Sequence, residues 1–405
     1  MILVIGRVAS PAVAQEPGPI TLLDVREDVT CGERIIFSLE VASVEPIVGI
    51  TFSCQENGAL DVLSFPADLA IGTTVRATAA IDLRRYSLMP FARAFYWWRI
   101  EDQAGNVLNI DPLPFQYDDN RFTWEVSSRD NINVHTAGWS TAERQAMLDE
   151  AIRAQERIAG QLQAPVPAVI DIYAYAALDD LRAALSLHGR DAVEGYADPQ
   201  HNVILISPSR AYPDLALRRQ IPHELAHIVI GHVVGEGAAP AWLTEGLALY
   251  FETEPDPDLR AFFEANADAG ALYALDALCA AFPLDRNASA LAYAQSYEVV
   301  RFIENRYGPA GIRALLAAYA QGATCEGGVA QGLGIALSLL ERDWLLSLDQ
   351  EEALPPPPSV LMWVALLAFF VGWPAIFLTF RRSRRRHHRQ SSRSSPSRSS
   401  RSSSS

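Results

Sequence analysis

Residues 223 to 227 read His-Glu-Leu-Ala-His, two imidazoles four positions apart with a carboxylate beside the first. On an α-helix, side chains four apart stand on one face a turn apart, so both rings can ligate a single ion. Zinc favours nitrogen and sulfur ligands with some oxygen, and a catalytic zinc takes three protein ligands and keeps a fourth position open for water. A third ligand is therefore required. A HExxHxxGxxH extension would need glycine at position 230 and histidine at position 233, where the sequence has Ile230 and Val233. His232 is five residues past His227 and points to another face of the helix. Glu245, in Trp242-Leu243-Thr244-Glu245-Gly246, is the better candidate. The run Gly235 to Pro240 breaks the first helix, and the seventeen intervening residues let a second helix return the carboxylate to the metal.

HELAH followed by PAWLTEGLA resembles the gluzincins, especially bacterial proteins with a peptidase MA-like domain. The motif likeness covers about residues 221 to 251, and a looser one runs from Glu194 to Gly308. The resemblance implies one Zn2+ held by His223, His227 and Glu245, with Glu224 as the general base that takes a proton from water and hands it to the departing amine. It also implies a tyrosine or histidine from the helical lobe to stabilise the oxyanion, for which Tyr293 and Tyr297 are the candidates, with Tyr250 behind them and His201 weaker. The segment Asn202 to Ser207 resembles the edge strand on which a peptide lies. Several gluzincins brace the first histidine with an Asp four residues after the ligand Glu. Leu249 stands there, so support for His223 must come from elsewhere. Flanking Arg218, Arg219 and Glu236 exclude an intramembrane site for the motif.

The elements that must position these residues form an α+β pattern. Thr141 to Leu162 has helical apolar spacing, Val169 to Tyr175 and Val203 to Ser207 read as strands, and a helix should run from about Pro222 to Val234. Helices then dominate, over Trp242 to Phe251, Ala290 to Arg306, Pro309 to Tyr319 and Leu333 to Leu346. Ahead of them, from Ile20 to Val126, short alternating runs separated by turn residues predict an all-β immunoglobulin-like sandwich. In AFYWWRI, alternation sets Tyr96 and Trp98 on one face and Trp97 on the other. The expected division is residues 16–128 for the sandwich and 129–350 for the zincin-type metallopeptidase domain with its helical lower lobe.

The chain has 405 residues, and its 33 basic residues are all arginine. The last 25 residues hold nine of them and no acid, so residues 1–380 carry 24 Arg against 48 Asp+Glu, a net of -24. A body so acidic repels phosphate backbones and argues against nucleic acid as a partner. Val360 to Phe380 is 21 residues without a charge, about 31 Å long as a helix and enough to cross a bilayer core. An arginine cluster beginning at Arg381 follows it, and the positive-inside rule assigns that side to the cytoplasm. The expectation is a single-pass protein of a bacterial cell membrane, with the body outside, a Pro-rich stalk over 351–359 and a basic Ser/Arg tail over 381–405. Oligomeric state is not legible.

Four cysteines fall as two sequence-local pairs, Cys31 with Cys54 and Cys279 with Cys325, which export would allow to close as disulfides. The function expected is hydrolysis of peptide bonds in extracytoplasmic peptides or proteins. The competing expectation is a cell-surface binding or adhesion protein in which zinc is structural or vestigial. Ala12-Val13-Ala14 before Gln15 has the form of a signal-peptidase site, although five apolar residues before Gly6 make a short export signal, so residues 1–15 are expected to be the remnant of a longer one. Sequencing of the mature N-terminus should then begin at Gln15; a retained Met1 would contradict it.

Overall fold

The computed structural model describes residues 18–86, 88–188, 194–254 and 256–353. The chain forms two compact units, Met1–Glu341 and Arg342–Ser405. The predicted membrane segment Val360 to Phe380, the tail, residues 1–15 and the expected stalk from residue 354 on lie outside the described residues, while residues 351–353 of that stalk are instead the end of the last helix. Among those described, no helix is long and apolar enough to cross a membrane.

The N-terminal part is a single seven-stranded antiparallel sheet: β1 (Ile20–Thr30), β2 (Arg34–Glu56), β3 (Leu63–Pro66), β4 (Gly72–Asp82), β5 (Arg93–Asp102), β6 (Val107–Asn109) and β7 (Leu113–Gln116). β2 organises it. Its first half pairs with β1 and β4, and its second half with β3 and β5. Phe37 and Phe52 lie fifteen residues apart on this strand, about 50 Å if it ran straight, yet their ring centroids are 4.8 Å apart. The strand therefore folds back on itself. The register shifts between Ala42 and Ile47, around Pro46, which has no N–H to give the ladder. Two layers face each other across Phe37, Phe52, Tyr96 and Phe115, with Tyr96 and Trp98 inward as alternation requires. The expected immunoglobulin-like pair of separate sheets is thus corrected to one sheet doubled over, because one strand hydrogen-bonds in both layers.

A second sheet begins at Glu125, a few residues before the predicted boundary. It contains β8 (Glu125–Arg129), β9 (Ile132–Thr136), β10 (Ile170–Ala174), β11 (Gly195–Asp198) and β12 (Val203–Ile206), in the order β11-β12-β10-β9-β8. β9, β10 and β12 run parallel, and both outer strands are antiparallel. β12 lies between β11 and β10, so the expected substrate-facing edge, Asn202 to Ser207, is interior. The edge strand is β11. Tyr173 of β10 and Tyr175 just after it, with Val203 and Leu205 of β12, share a core with Phe91 and with Leu181 and Leu185 of α2 (Leu178–Leu185).

α1 (Thr141–Leu162) has the predicted bounds, set by a capping box in which the Ser140 side chain accepts from the Glu143 amide and the Glu143 carboxylate accepts from the Ser140 amide. α3 (Pro213–Val234) starts nine residues before the position expected, so Pro222 sits inside the helix rather than in its first turn. After it come α4 (Ala241–Tyr250), α5 (Pro257–Asp268), α6 (Arg286–Ala320), α7 (Cys325–Leu333) and α8 (Leu337–Ala353). Gly308, at φ 65°, breaks α6 between its two predicted halves.

Cys279 and Cys325 form a disulfide that ties the segment after α5 to the first turn of α7. Cys31 and Cys54, the other expected pair, are free thiols. The Cys31 sulfur contacts the Tyr117 hydroxyl at 3.4 Å, and Cys54 is held in the ladder opposite Tyr96 and Leu63. Burial pushes both thiols up to about 11, which keeps them unreactive. Closing 46 residues of chain, the surviving disulfide restricts the unfolded state by about 4 kcal/mol in the chain-entropy model. Cys325→Ser should therefore lower the urea-unfolding free energy by about 2–4 kcal/mol, while Cys54→Ser, with no bond to lose, should fall by under about half that.

Candidate metal centre

His223 and His227 lie one turn apart on α3 with ring centroids 5.1 Å apart, and α4 brings Glu245 between them. The Glu245 Oε2 is 3.8 Å from His223 Nε2 and 3.5 Å from His227 Nε2. Ligand atoms at about 2.0–2.1 Å around a tetrahedral zinc sit about 3.4 Å from one another. The three donors thus enclose a gap of the size a zinc fills, and they are the one such His/Cys/Asp/Glu group among the described residues. The donor set, two nitrogens and an oxygen, suits zinc as well. The ligand set expected from the sequence is brought together.

Three close approaches hold this arrangement, and two of them need glycine. A Cβ on Gly246 would stand 2.4 Å from the Ser296 carbonyl oxygen of α6. The residue after Glu245 must therefore lack a side chain for α4 to lie against the helix that carries Tyr293. A Cβ on Gly195 would come within 2.4 Å of the Glu224 carboxylate, so the start of edge strand β11 packs directly on the general-base candidate. The third approach uses Pro222. A proline inside a helix gives no hydrogen bond to the carbonyl four residues back. That carbonyl, on Arg218, accepts instead from the Thr253 amide at 2.9 Å.

The Pro222 exchange docks the segment after α4 against α3. Arg157 of α1 donates to the Phe251 carbonyl at 2.7 Å and to the Thr253 hydroxyl at 3.1 Å, and that hydroxyl donates to Glu150 at 3.0 Å. Between the two anchored residues, Glu252 accepts a hydrogen bond from His223 Nδ1 at 3.1 Å. This fixes the tautomer and leaves the Nε2 lone pair facing the metal position. Glu252 is the brace that Leu249 cannot be. Sequence reasoning missed it, although the available signal was a proline within the HExxH helix, which advertises a carbonyl in need of a donor.

Electrostatically the centre is overloaded with acid. Burial pushes the Glu224 carboxyl above its usual range, assisted by Glu245 and Glu252 and opposed by the two imidazoles. Burial also works against a charge on His223, but the Glu252 hydrogen bond and the carboxylates of Glu224 and Glu245 outweigh it and raise the imidazole to about 9. Glu245 is drawn below its usual value, its burial overcome by His227 and His223. Three carboxylates around two imidazoles make a pocket that a divalent cation would neutralise.

The centre opens into a cleft of about 520 Å3 walled by β11, the second half of α3 and the loop before α4. Glu224 and Tyr293 both line it. Burial, reinforced by Glu245 and Glu224, raises the Tyr293 phenol well above its usual value and keeps its proton in place for donation. Tyr297 is one turn further along α6 and lines a separate small cavity with Glu252 and Arg260. Tyr250 accepts from Gln161, His232 bonds Asn202, and buried His201 bonds Asp198, none of them in the cleft.

A family model described as Peptidase MA superfamily matches residues 146–350, half of the chain. No curated protein matches. Among solved structures, the chain is similar to OgpA from Akkermansia muciniphila, at 17% identity over 25% of this chain and 29% of that one, with a TM-score of 0.21. It thus spans under a third of that protein's length. An aminopeptidase N family protein from Idiomarina loihiensis aligns at 10% identity over 77% of this chain and 73% of its own, TM-score 0.42. An M1 zinc metallopeptidase from Deinococcus radiodurans aligns at 14% over 77% and 89%, TM-score 0.33.

Removing the brace should act on metal affinity before anything else. Glu252→Ala is expected to weaken zinc binding about 10–100-fold, measured by competition with a chromophoric chelator, with the far-ultraviolet circular dichroism unchanged.

Proposed function

The chain belongs to the Peptidase MA superfamily, and on that premise we propose that it is a zinc-dependent endopeptidase, anchored to a bacterial cell membrane with its catalytic body outside. The observation that carries this is the convergence of His223, His227 and Glu245 on one cation-sized gap at the floor of a cleft that Glu224 also lines.

Zinc bound there would supply Lewis-acid polarisation and make water acidic enough to lose a proton near neutral pH. Glu224, desolvated and lodged beneath β11, is within the same cleft to take a proton from the attacking water and return it to the departing amine. The raised affinity of its carboxylate for a proton suits that double duty. Tyr293 is the candidate donor to the oxygen that becomes negatively charged, its phenol kept protonated by burial and by the acids nearby. Edge strand β11, Gly195–Asp198, offers unpaired backbone groups to an extended peptide.

The charges among the described residues support cleavage inside a chain rather than at its ends. The described residues lining the cleft include two acids, Glu224 and Glu245, and no arginine. Both acids already have roles, as base and as ligand. Among the described residues, a free α-amino group would find no carboxylate of its own, and a free C-terminal carboxylate no cation. The remaining walls are small or apolar, among them Ile230, Val234, Ala238 and Ala239.

The location is supported by the uncharged Val360 to Phe380 stretch and the arginine cluster behind it. The Cys279–Cys325 disulfide fits an oxidising compartment. The intact base beside a complete ligand set favours an enzyme over a surface adhesin with a structural metal.

Glu224→Gln should reduce peptide cleavage by about 10²–10⁴-fold at unchanged zinc content, whereas Glu245→Ala should lose zinc and rate together. Peptides blocked by N-acetylation and C-terminal amidation should be cut as fast as free ones. Strict dependence on a free terminus would instead make the enzyme an exopeptidase.

A further inference from the structure

The segment 269–285, between α5 and α6, is a strap that folds back on α6 and is fastened along its length. The fully buried Gln295 side chain grips the Tyr273 backbone on both sides, its amide donating to the carbonyl at 2.7 Å and its oxygen accepting from the N–H at 2.9 Å. Leu275 and Leu278, on a turn of 3-10 helix, are fully buried. Cys279 is fixed twice, its sulfur to Cys325 and its carbonyl by the Ala241 amide at 3.3 Å. That amide opens α4, whose N-cap Pro240 makes no side-chain cap, so the strap satisfies a first-turn donor of the helix that carries Glu245. Cys325 is in turn held to α6, where the Tyr319 hydroxyl donates to its carbonyl at 2.8 Å. At the far end, the Asp285 carboxylate accepts from the Ala288 amide at 2.9 Å and caps α6.

Between Cys279 and Asp285 the strap carries Phe282, Pro283 and Leu284. Leu284 is fully exposed, whereas the half-buried Phe282 meets the Tyr293 ring edge-on, with 5.0 Å between centroids and an interplanar angle of 89°. An edge-on aromatic pair is worth more than the area it buries, and its geometry is specific. Among the described residues the Tyr293 hydroxyl has no hydrogen-bond partner, so no bond to the protein aims it. A phenol that must stand about 2.7–3.1 Å from a developing oxyanion is then aimed by the packing of its ring, and the aromatic ring packed against it is Phe282.

We propose that Phe282 is a positioning residue for the hydrolysis: it holds the Tyr293 phenol in its place on the cleft wall, and the Cys279–Cys325 disulfide holds the strap that carries Phe282. The role rests on the reading of the cleft as a peptidase site with Tyr293 as donor to the oxyanion. Anchors on either side of position 282 leave its ring little room to withdraw, so the disulfide serves the geometry of the site as well as stability.

Peptide cleavage by the full zinc-loaded chain, with kcat and KM separated, tests this. Phe282→Leu, which removes the ring and keeps an apolar side chain, should lower kcat about 2–10-fold at unchanged KM and zinc content, and Phe282→Trp should restore most of the loss. Tyr293→Phe should itself be slower by about 10²-fold, and in that background Phe282→Leu should cost nothing further. An equal loss in both backgrounds overturns the proposal, because the ring would then act on something other than Tyr293. So does a loss confined to KM, which would make the strap a substrate-binding surface, or a Phe282→Leu chain as fast as the parent. If Phe282→Leu fails to fold, the Cys279→Ser/Cys325→Ser chain, whose strap is untied, must show the same loss in kcat and the same dependence on Tyr293. Failure of the hydrolysis reading itself shows separately, as cleavage by the parent chain that Glu224→Gln leaves untouched, and it would take this role with it.

Discussion

Crowding of like charge is the constraint on which the centre turns. Glu224, Glu245 and Glu252 gather around two imidazoles, and in a desolvated pocket Glu245 and Glu252 raise the cost of ionising Glu224. Nothing local to any one of them favours such a gathering. It persists because the helices are committed elsewhere by packing, with Trp242, Leu243, Leu247 and Ile221 fully buried around it. A cation held by His223, His227 and Glu245 would relieve the strain in electrostatics that packing imposes.

The packing in turn depends on places where a side chain or a proton is missing. Gly246 and Gly195 lack the Cβ that would separate α4 from α6 and β11 from Glu224. Pro222 lacks the N–H that would satisfy Arg218, and the vacancy is taken by Thr253. Each omission lets a second element approach closely, and the second element delivers a functional group: Tyr293, the edge strand or Glu252. A helix with alanine at 222 would keep its own ladder and have less reason to hold the 251–253 segment.

The two sheets meet through specific contacts rather than through a shared ladder. Phe91 stacks on Tyr173, Arg93 pairs with Asp171 at 2.8 Å, and Gln200, in the turn between β11 and β12, donates to the Asn57 carbonyl at 2.8 Å. That turn also holds buried His201 between Asp198 and Glu56. The doubled sheet thereby steadies the strand that walls the cleft, while its own residues do not line it.

Much of this was legible in the residues themselves. Spacing of four along a helix put His223 and His227 on one face, a consequence of local backbone geometry, and the breaker run to Pro240 left room for a second helix to return Glu245, the ligand that the gluzincin resemblance implied. The bounds of α1 were likewise local, set by Ser140 and Glu143. What the tertiary structure decided was everything that depends on partners distant in sequence. Whether β12 or β11 forms the edge, whether one strand serves two layers, whether Tyr293 or Tyr297 faces the cleft and whether Cys54 meets Cys31 are not encoded in periodicity, since helical and strand repeats specify which face is apolar and leave open which element covers it. Glu252 belongs to that second group: its chemistry was visible at any time, but only the docking of Thr253 on Arg218 turns it toward His223.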